Sequence, residues 1–401
     1  MYNIIIIAAV VQGGDLAQQK SKLRIFIIFL IFVLYLLIAA RPIPRETILS
    51  PFWLSSLVEN SSFVASNLRS AGGPSVVPEG GAQLIPFTLG ANFGYVDSAG
   101  NLAIHKRNSG NIFLSDNQWT EYGAQPEKIE IKNTSEEVVM TIENPGGYPV
   151  LMDNRVFILG SGQDSLSEIG SNGNVIWTYE FGAPLTAIDA AAGLVLTGSI
   201  DGVIEIIDAS GKRIFYFEPG GSRISLIYGC AISRGGSRLG IISGLDQQRF
   251  LLLERYGNEG DYKVVYHEFL GEGFRRPVRI SFIDEDRRLI FECPDGIGCY
   301  NIKSRKVLRI PLDGKTVAID DSGGGGFLFL INSSPSGQKE LIGVKFPNDR
   351  WPLFSKSGKD MRETIFLRAP FKSDNVFLKR TGSLLIAGGG TTLISFQLEE
   401  K

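Results

Sequence analysis

Short apolar runs alternate with turns rich in Gly, Asp, Asn and Ser from about residue 83 to the end of the chain. Runs of this length and spacing are typical of β-hairpins, and no convincing helical period interrupts them. One repeating unit is clear at residues 193–217, which read GLVLTGS, the turn IDG, VIEIIDAS, the turn GK and RIFYF. Six further copies begin near residues 93, 155, 238, 288, 326 and 383. The pattern predicts an all-β body made of repeated small sheets.

Each unit supplies about four strands in roughly 40–50 residues, which is typical of a β-propeller blade. The runs RFLLLERY at 249–256 and RIFYF at 213–217 would be apolar on both faces of a sheet, so each sheet needs a neighbour on both sides. We predict a β-propeller of seven blades, or of six if residues 128–142 form an additional hairpin. The last blade either closes with an upstream strand near Leu84 or stays three-stranded. A β-helix or a β-sandwich is the main alternative fold.

The N-terminal region contains one long apolar segment. Residues 25–40 read IFIIFLIFVLYLLIAA without a charge and follow Lys20, Lys22 and Arg24. Two interpretations fit: a single-pass anchor in a bacterial-type inner membrane, or a secretory signal that is cleaved after Ala40. In either case we expect the propeller to be exported, on the periplasmic side of the membrane or free in the periplasm.

Composition divides the chain into four parts. Residues 1–24 form an N-terminal tail and residues 25–40 the anchor or signal. Residues 41–82 are rich in Pro, Gly and Ser, which predicts a linker, and residues 83–401 form the propeller.

Charge and residue usage exclude several classes of protein. The 401 residues include 40 Lys and Arg against 42 Asp and Glu, and this balance argues against a nucleic-acid partner. Three Cys and two His are too few for a disulfide scaffold or a Cys/His-rich zinc protein. Cys293 and Cys299 flank one turn and are either unbonded buried thiols or a disulfide. His105 and His267 lack the spacing of a catalytic triad, and we expect no catalytic or metal-binding residues.

One copy of the repeat resembles a known family. Residues 193–220 (GLVLTGSIDGVIEIIDASGKRIFYFEPG) are similar to the repeat of quinoprotein-type, PQQ-like β-propellers. The residues that carry the likeness are Asp201, Gly202, Asp208, Ser210, Gly211, Lys212 and Phe215. In the preceding copy the matching residues are Ser171, Gly173 and Trp177, with Asn174 where lysine is usual. The shape is also that of WD40 propellers, but no recurring Gly-His and Trp-Asp pair is present.

This resemblance implies a fold more firmly than a function, because the fold serves enzymes and scaffolds alike. Some relatives of this type are exported scaffolds, such as the lipoprotein of the outer-membrane barrel-assembly machinery, although no cysteine near Ala40 can be lipidated here. Others are oxidoreductases that hold PQQ over calcium, but the chain has no Cys-Cys pair and no assignable carboxylate cluster. We favour a non-enzymatic scaffold without a cofactor, attached to the membrane through residues 25–40, with a protein partner in cell-envelope assembly. The alternatives are an oxidoreductase that binds PQQ and calcium, or a ligand-binding propeller without catalysis.

A candidate interaction surface follows from the order of strands in a blade. Turns between the second and third strands and connections between blades lie at the same end of a propeller, here called the top face. We assign to such turns the residues Asp97, Asp164, Asp201, Asp246 and Asp295. We assign to the connections the residues Arg223, Arg275, Arg276 and Lys315. Aspartate also simply suits turns, but a charged top face would engage a protein partner or a polar ligand.

Overall fold

The computed structural model describes ten parts of the chain, namely residues 26–35, 46–58, 64–66, 83–257, 260–271, 273–320, 322, 324, 326–346 and 365–400. The chain divides into two compact units, one of Met1–Ile48 with Glu400–Lys401 and the other of Leu49–Glu399. In the first unit, residues 26–35 form a helix.

This helix does not support the predicted membrane anchor. Within the described part of the chain, no helix is both long and apolar enough to cross a membrane. The helix at 26–35 rises about 15 Å, half of the ~30 Å of a hydrocarbon core. The prediction of a single-pass inner-membrane anchor at residues 25–40, with the propeller on its periplasmic side, is therefore wrong. Cleavage after Ala40 would fall outside the described residues.

The described strands form eight sheets, which are the blades of a β-propeller. The first described strands are β1 (Thr47–Ser56) and β2 (Val64–Ser66). Blade 1 contains β3 (Ile85–Leu89), β4 (Asn92–Val96) and β5 (Leu102–Arg107). Blade 2 contains β6 (Asn111–Leu114), β7 (Gln118–Tyr122), β8 (Lys128–Asn133) and β9 (Val138–Glu143). Blade 3 contains β10 (Gly147–Met152), β11 (Arg155–Gly160), β12 (Ser165–Ile169) and β13 (Val175–Glu180). Blade 4 contains β14 (Leu185–Ala191), β15 (Leu194–Ser199), β16 (Ile204–Ile207) and β17 (Arg213–Phe217).

The second half continues in the same order. Blade 5 contains β18 (Ile227–Ile232), β19 (Arg238–Ser243), β20 (Arg249–Arg255) and β21 (Tyr262–Phe269). Blade 6 contains β22 (Ile280–Ile283), β23 (Arg288–Cys293), β24 (Gly296–Asn301) and β25 (Lys306–Pro311). Blade 7 contains β26 (Lys315–Ile319), β27 (Phe327–Ser333), β28 (Lys339–Lys345) and β29 (Ile365–Phe371). Blade 8 contains β30 (Val376–Thr381), β31 (Leu384–Gly389) and β32 (Thr392–Glu400), followed in the sheet by β1 and β2.

The number of blades corrects the prediction of seven, or of six. The additional sheet is blade 2, where only a hairpin at residues 128–142 was expected. Its first two strands, NIFL and QWTEY, are short and carry polar residues among the apolar ones. They therefore lack the continuous apolar runs that reveal the other copies, such as the fully buried strand β15.

Blade 8 is closed by a strand from the N-terminal side of the propeller. Strand β1 lies next to β32, so residues 47–56 belong to the blade and the prediction of a linker is corrected there. The Trp53 side chain is buried, and its indole Nε1 donates a hydrogen bond to the Ser98 carbonyl at 3.0 Å. The apolar FWL run at 52–54, unusual in a linker, is explained by this burial.

Blade 1 has three strands among the described residues, and its turns show which three they are. The Asp97 carboxylate accepts hydrogen bonds from the N–H groups of Ala99 and Asn101, both at 2.8 Å. The Asp208 carboxylate does the same in the turn between the third and fourth strands of blade 4. Strands β4 and β5 therefore correspond to third and fourth strands. Strand β3 is at the edge of its sheet, a position that suits its proline, Pro86.

Apolar side chains fill the spaces between neighbouring blades. Phe250 of blade 5 stacks on Phe291 of blade 6 with ring centroids 4.3 Å apart. A second cluster joins blades 4 and 5 through Leu196 and Ile241. Both faces of these sheets are thus removed from water, as the two-sided apolar runs require.

Candidate functional site

The structure brings most of the predicted charged residues to the top face. Four turns between second and third strands carry Asp164, Asp201, Asp246 and Asp295. The connections between blades 4, 5 and 6 carry Arg223, Arg275 and Arg276. Lys315 is the first residue of β26 and lies at the same end.

Asp97 is at the other end of the propeller, and its predicted position is corrected. The turn that contains it joins β4 to β5, which are third and fourth strands, and such turns lie opposite the top face. No first strand of blade 1 is among the described residues, so counting β3 as a first strand misassigns the turns of this blade. The same turn docks on the preceding blade through Gly100, which packs against the Trp53 ring.

Among the described residues, one ion pair joins two of the charged residues that were predicted for the top face. Arg223 Nε lies 3.4 Å from Asp246 Oδ2, and Ser222 also donates a hydrogen bond to the Asp246 carboxylate. The hydrogen bond from Ser222 is the main reason that the pKa of Asp246 falls to about 2. Asp164 and Asp201 are exposed in separate blades. The top face therefore carries charges that are separate from one another. They surround the first strands of the blades, which contact each other and are called the inner strands below.

A cavity of about 490 Å³ opens among the inner strands of blades 4 to 7, at their top-face ends. Segments of four blades line it, namely 186–188, 228–230, 276–280 and 315–317, together with Glu292. We call this cavity the mouth pocket. Its size is that of sites that hold small ligands or a few side chains of a partner.

The charges in the mouth pocket do not cancel. Glu292 is buried and binds Arg276 through two hydrogen bonds of 3.0 and 3.2 Å, and it also accepts the Arg279 N–H at 2.9 Å. The Arg279 guanidinium contacts a carbonyl oxygen, that of Ile319, at 3.3 Å. Neither Arg279 nor Lys315 has an ion-pair partner among the described residues. Three basic side chains against one carboxylate leave two positive charges in excess.

Tyr228 also lines the mouth pocket and carries a hydroxyl group, which can donate a hydrogen bond. Its side chain is buried, and its hydroxyl has no hydrogen-bond partner within the described residues. Burial raises the pKa of Tyr228, while the positive charge of Arg275 acts in the opposite direction. A buried hydroxyl without a partner is unusual in a folded protein, since leaving it unsatisfied costs free energy.

Close packing between blades holds this wall in place. The Val278 N–H donates a hydrogen bond of 2.8 Å to the Tyr228 carbonyl, joining the inner strands of blades 5 and 6. Gly229 allows this approach, because a Cβ there would lie 2.3 Å from the Val278 carbonyl oxygen. The positions of Tyr228 and Arg279 are thus set by contacts between backbones.

The sequence prediction missed three residues of the mouth pocket, namely Tyr228, Arg279 and Glu292. A signal was present for two of them. Glu292 interrupts the apolar run RLIFEC, and Arg279 comes directly before the strand β22. A charge inside a buried strand indicates a buried ion pair, because an unpaired charge is costly there.

The described residues show no group of three or more His, Cys, Asp or Glu side chains placed to hold a metal ion. Calcium prefers several carboxylate and carbonyl oxygens. The described lining of the mouth pocket has one carboxylate, which is already bound by arginine, and its donor set does not fit the calcium ion that the quinoprotein alternative requires.

Cys293 and Cys299 are not joined by a disulfide. Cys293 lies opposite Gly296, whereas Cys299 lies opposite Ile290 and Leu308, so the register keeps the two apart. Burial raises the pKa of the Cys293 thiol to about 12.

The eight sheets define this molecule as a β-propeller, and its mouth pocket is positively charged. The chain belongs to a family described as beta-propeller protein, whose sequence profile matches residues 16–400. A protein of Treponema pallidum (strain Nichols) described as uncharacterized is 27% identical over 305 residues, or 75% of this chain and 78% of that protein.

Two solved structures are similar in fold. BamB from Moraxella catarrhalis is 13% identical, with a TM-score of 0.50 over 79% of this chain and 96% of BamB. The computationally designed protein Ika8 is 10% identical, with a TM-score of 0.54 over 79% of this chain and 96% of Ika8. At these identities both matches show the fold alone.

Proposed function

We propose that this protein is a non-catalytic interaction scaffold whose top face engages a protein partner. The observation that carries the proposal is the excess of positive charge around the mouth pocket, which the described chain does not neutralise. Charged side chains that are left unpaired on a rigid face are available for complementary charges of a partner.

The placement of the two histidines also favours binding over nucleophilic catalysis. His105 lies on β5 of blade 1 and His267 on β21 of blade 5, both outermost strands of their sheets. Both are therefore remote from the inner strands that line the mouth pocket, where a base would have to act.

A finer form of the proposal places the partner in cell-envelope assembly. Its support is the resemblance of residues 155–181 and 193–220 to the repeats of PQQ-like propellers, some of which are exported scaffolds. This finer form is separate from the use of the top face and can fail without it.

The test compares partner capture by variants of the two faces. Arg223 and Arg275 are exposed on the top face and lie outside the mouth pocket lining. We expect the double variant Arg223→Glu with Arg275→Glu to lose the partners that the full-length protein captures after crosslinking in cells, measured by quantitative mass spectrometry.

The matched control reverses two exposed charges on the opposite face, with Lys212→Glu and Arg234→Glu. Capture should be retained there. Unchanged capture by the top-face variant, or equal loss in both variants, would contradict the proposal.

A further inference from the structure

We infer that the mouth pocket binds carboxylate side chains of an extended acidic segment of the partner. This inference rests on the proposed function, because it assigns one place on the top face to one kind of partner group. The assignment follows from the charges of the pocket, from its unpartnered donor and from its size.

The charges select an anionic group. Arg276 is occupied by Glu292. Arg279, directly before β22, and Lys315, the first residue of β26, belong to neighbouring blades and have no carboxylate partner among the described residues. A carboxylate between them would be balanced by two cations from different blades. Arginine and lysine with carboxylates form charge-assisted hydrogen bonds, which are stronger than neutral ones.

The donor complements these cations. Tyr228 is one of the residues that line the pocket, and its buried hydroxyl makes no hydrogen bond with the described residues. A carboxylate only accepts hydrogen bonds, so it matches two cationic side chains and a nearby residue whose hydroxyl has no other partner. If the Tyr228 side chain moved its hydroxyl toward the pocket, the hydroxyl would gain an acceptor and the carboxylate of the partner would gain a donor.

The size and lining favour a segment of a protein. A volume of about 490 Å³ holds a few side chains but not a folded element. Ile188, Val278 and Val317 supply apolar wall between the charges, which suits the methylene groups of glutamate. An extended acidic chain can enter the pocket while the rest of the partner contacts the surrounding top face.

The test uses the full-length protein and fluorescein-labelled hexaglutamate, with fluorescence anisotropy as the measurement. We expect saturable binding that weakens as ionic strength rises. The charge reversals Lys315→Glu and Arg279→Glu should each weaken binding by about tenfold or more. Tyr228→Phe should weaken it by about threefold without lowering the melting temperature, since the hydroxyl has no partner to lose.

The controls are Lys212→Glu and Arg234→Glu, which reverse one lysine and one arginine on the opposite face. Equal weakening in these controls, or no binding of hexaglutamate at all, would overturn the inference. Citrate is a competing small anion; binding of citrate without binding of hexaglutamate would also overturn it, since the pocket would then serve a free metabolite.

A second comparison separates this inference from the proposed function. If Lys315→Glu retains the captured partner while the Arg223→Glu and Arg275→Glu double variant loses it, the top face binds but the mouth pocket does not hold the acidic segment. If all of these variants retain the partner, the proposed function itself fails.

Discussion

The two ends of the propeller use aspartate in different ways. Opposite the top face, aspartates join neighbouring blades: Asp153 accepts the Gly193 N–H at 3.0 Å, Asp189 accepts the Ile232 N–H at 2.8 Å, and Asp286 accepts the Arg234 N–H at 2.9 Å. On the top face, Asp164 and Asp201 are exposed in turns of their own blades.

This comparison shows that one residue type holds the fold together at one end and leaves charge available at the other. At the opposite end, carboxylates accept hydrogen bonds from backbone N–H groups of neighbouring blades. At the top face, buried Glu292 neutralises Arg276, while Arg279 and Lys315 are left for other groups. At the top face, backbone hydrogen bonds such as that from Val278 to the Tyr228 carbonyl join neighbouring blades instead, which leaves the side chains of Asp164 and Asp201 exposed.

The largest effect should come from the buried ion pair between Asp320 of blade 7 and Arg380 of blade 8. The Asp320 carboxylate is buried and accepts hydrogen bonds from Arg380 N and Nε, both at 3.2 Å. Asp320→Ala leaves the Arg380 charge buried and unpaired, which should cost about 4 kcal/mol of unfolding free energy. Urea denaturation of the full-length protein measures this.

The matched control removes both charges, with Asp320→Leu and Arg380→Met. We expect this double variant to recover most of the loss, because apolar pairs of similar size replace buried ion pairs at little cost. A double variant less stable than Asp320→Ala would show that the pair does more than balance charge.

The next effect concerns the docking of one blade on another by a glycine opposite the top face. Gly211 has φ +81°, and a Cβ there would lie 2.6 Å from the Trp177 ring. Gly211→Ala should therefore cost about 3 kcal/mol, combining backbone strain with the displaced ring. The change in melting temperature is the measurement.

Gly337 supplies the control for Gly211, since it has φ +82° and, apart from its chain neighbours, no described residue has an atom within 4 Å of the position that a Cβ would take there. Gly337→Ala should cost about 1 kcal/mol, from the backbone alone. Equal losses for the two variants would mean that contact with Trp177 contributes nothing.

A smaller effect compares aspartates of the two faces directly. Asp189→Ala removes the acceptor of the Ile232 N–H and should destabilise the fold by about 1–2 kcal/mol. Asp164→Ala on the top face should change stability by less than about 0.5 kcal/mol, since the side chain is exposed. Equal values from chemical denaturation would remove the distinction between the faces.

The smallest effect is a pH dependence at Asp246. Its folded pKa of about 2 lies below the usual value of about 3.9, so its ionised form stabilises the fold above pH ~4. That stabilisation is lost as pH falls from about 4 to about 2. Ser222→Ala should raise the pKa of Asp246 and flatten the decline of melting temperature across this window.

The check on this prediction is the Asp246→Asn background, in which Ser222→Ala should no longer alter the pH dependence. A persisting effect would assign the titration to another group.

The sequence revealed the repeat best where both faces of a sheet are buried. Strands such as β15 and β20 are nearly continuous apolar runs, and their copies predicted a β-propeller. In blade 2 only the hairpin at residues 128–142 was predicted, because the strands β6 and β7 are short and mix apolar with polar residues. The blade number was therefore wrong, although the kind of fold was recognised.

The candidate site was predicted in part for a similar reason. Arg276 and Lys315 were assigned to connections from local turns, and they line the mouth pocket. Tyr228 lies inside an apolar strand, where the sequence indicates core, whereas Glu292 was missed although its charge interrupts an apolar run. Asp97 was placed on the wrong end because blade 1 has no first strand among the described residues, so that its turn between β4 and β5 was taken for one between second and third strands.

Local apolar periodicity and turn residues by themselves determined that this chain forms hairpins whose sheets must stack. Only the tertiary structure decided how many sheets there are, that β1 pairs beside β32, and which charges meet at the mouth pocket. The reason is distance along the chain: turns depend on neighbouring residues, whereas the pairing of β1 with β32 and the meeting of Tyr228 with Lys315 depend on contacts between remote ones. Such contacts gain their free energy from burial that no single segment can provide.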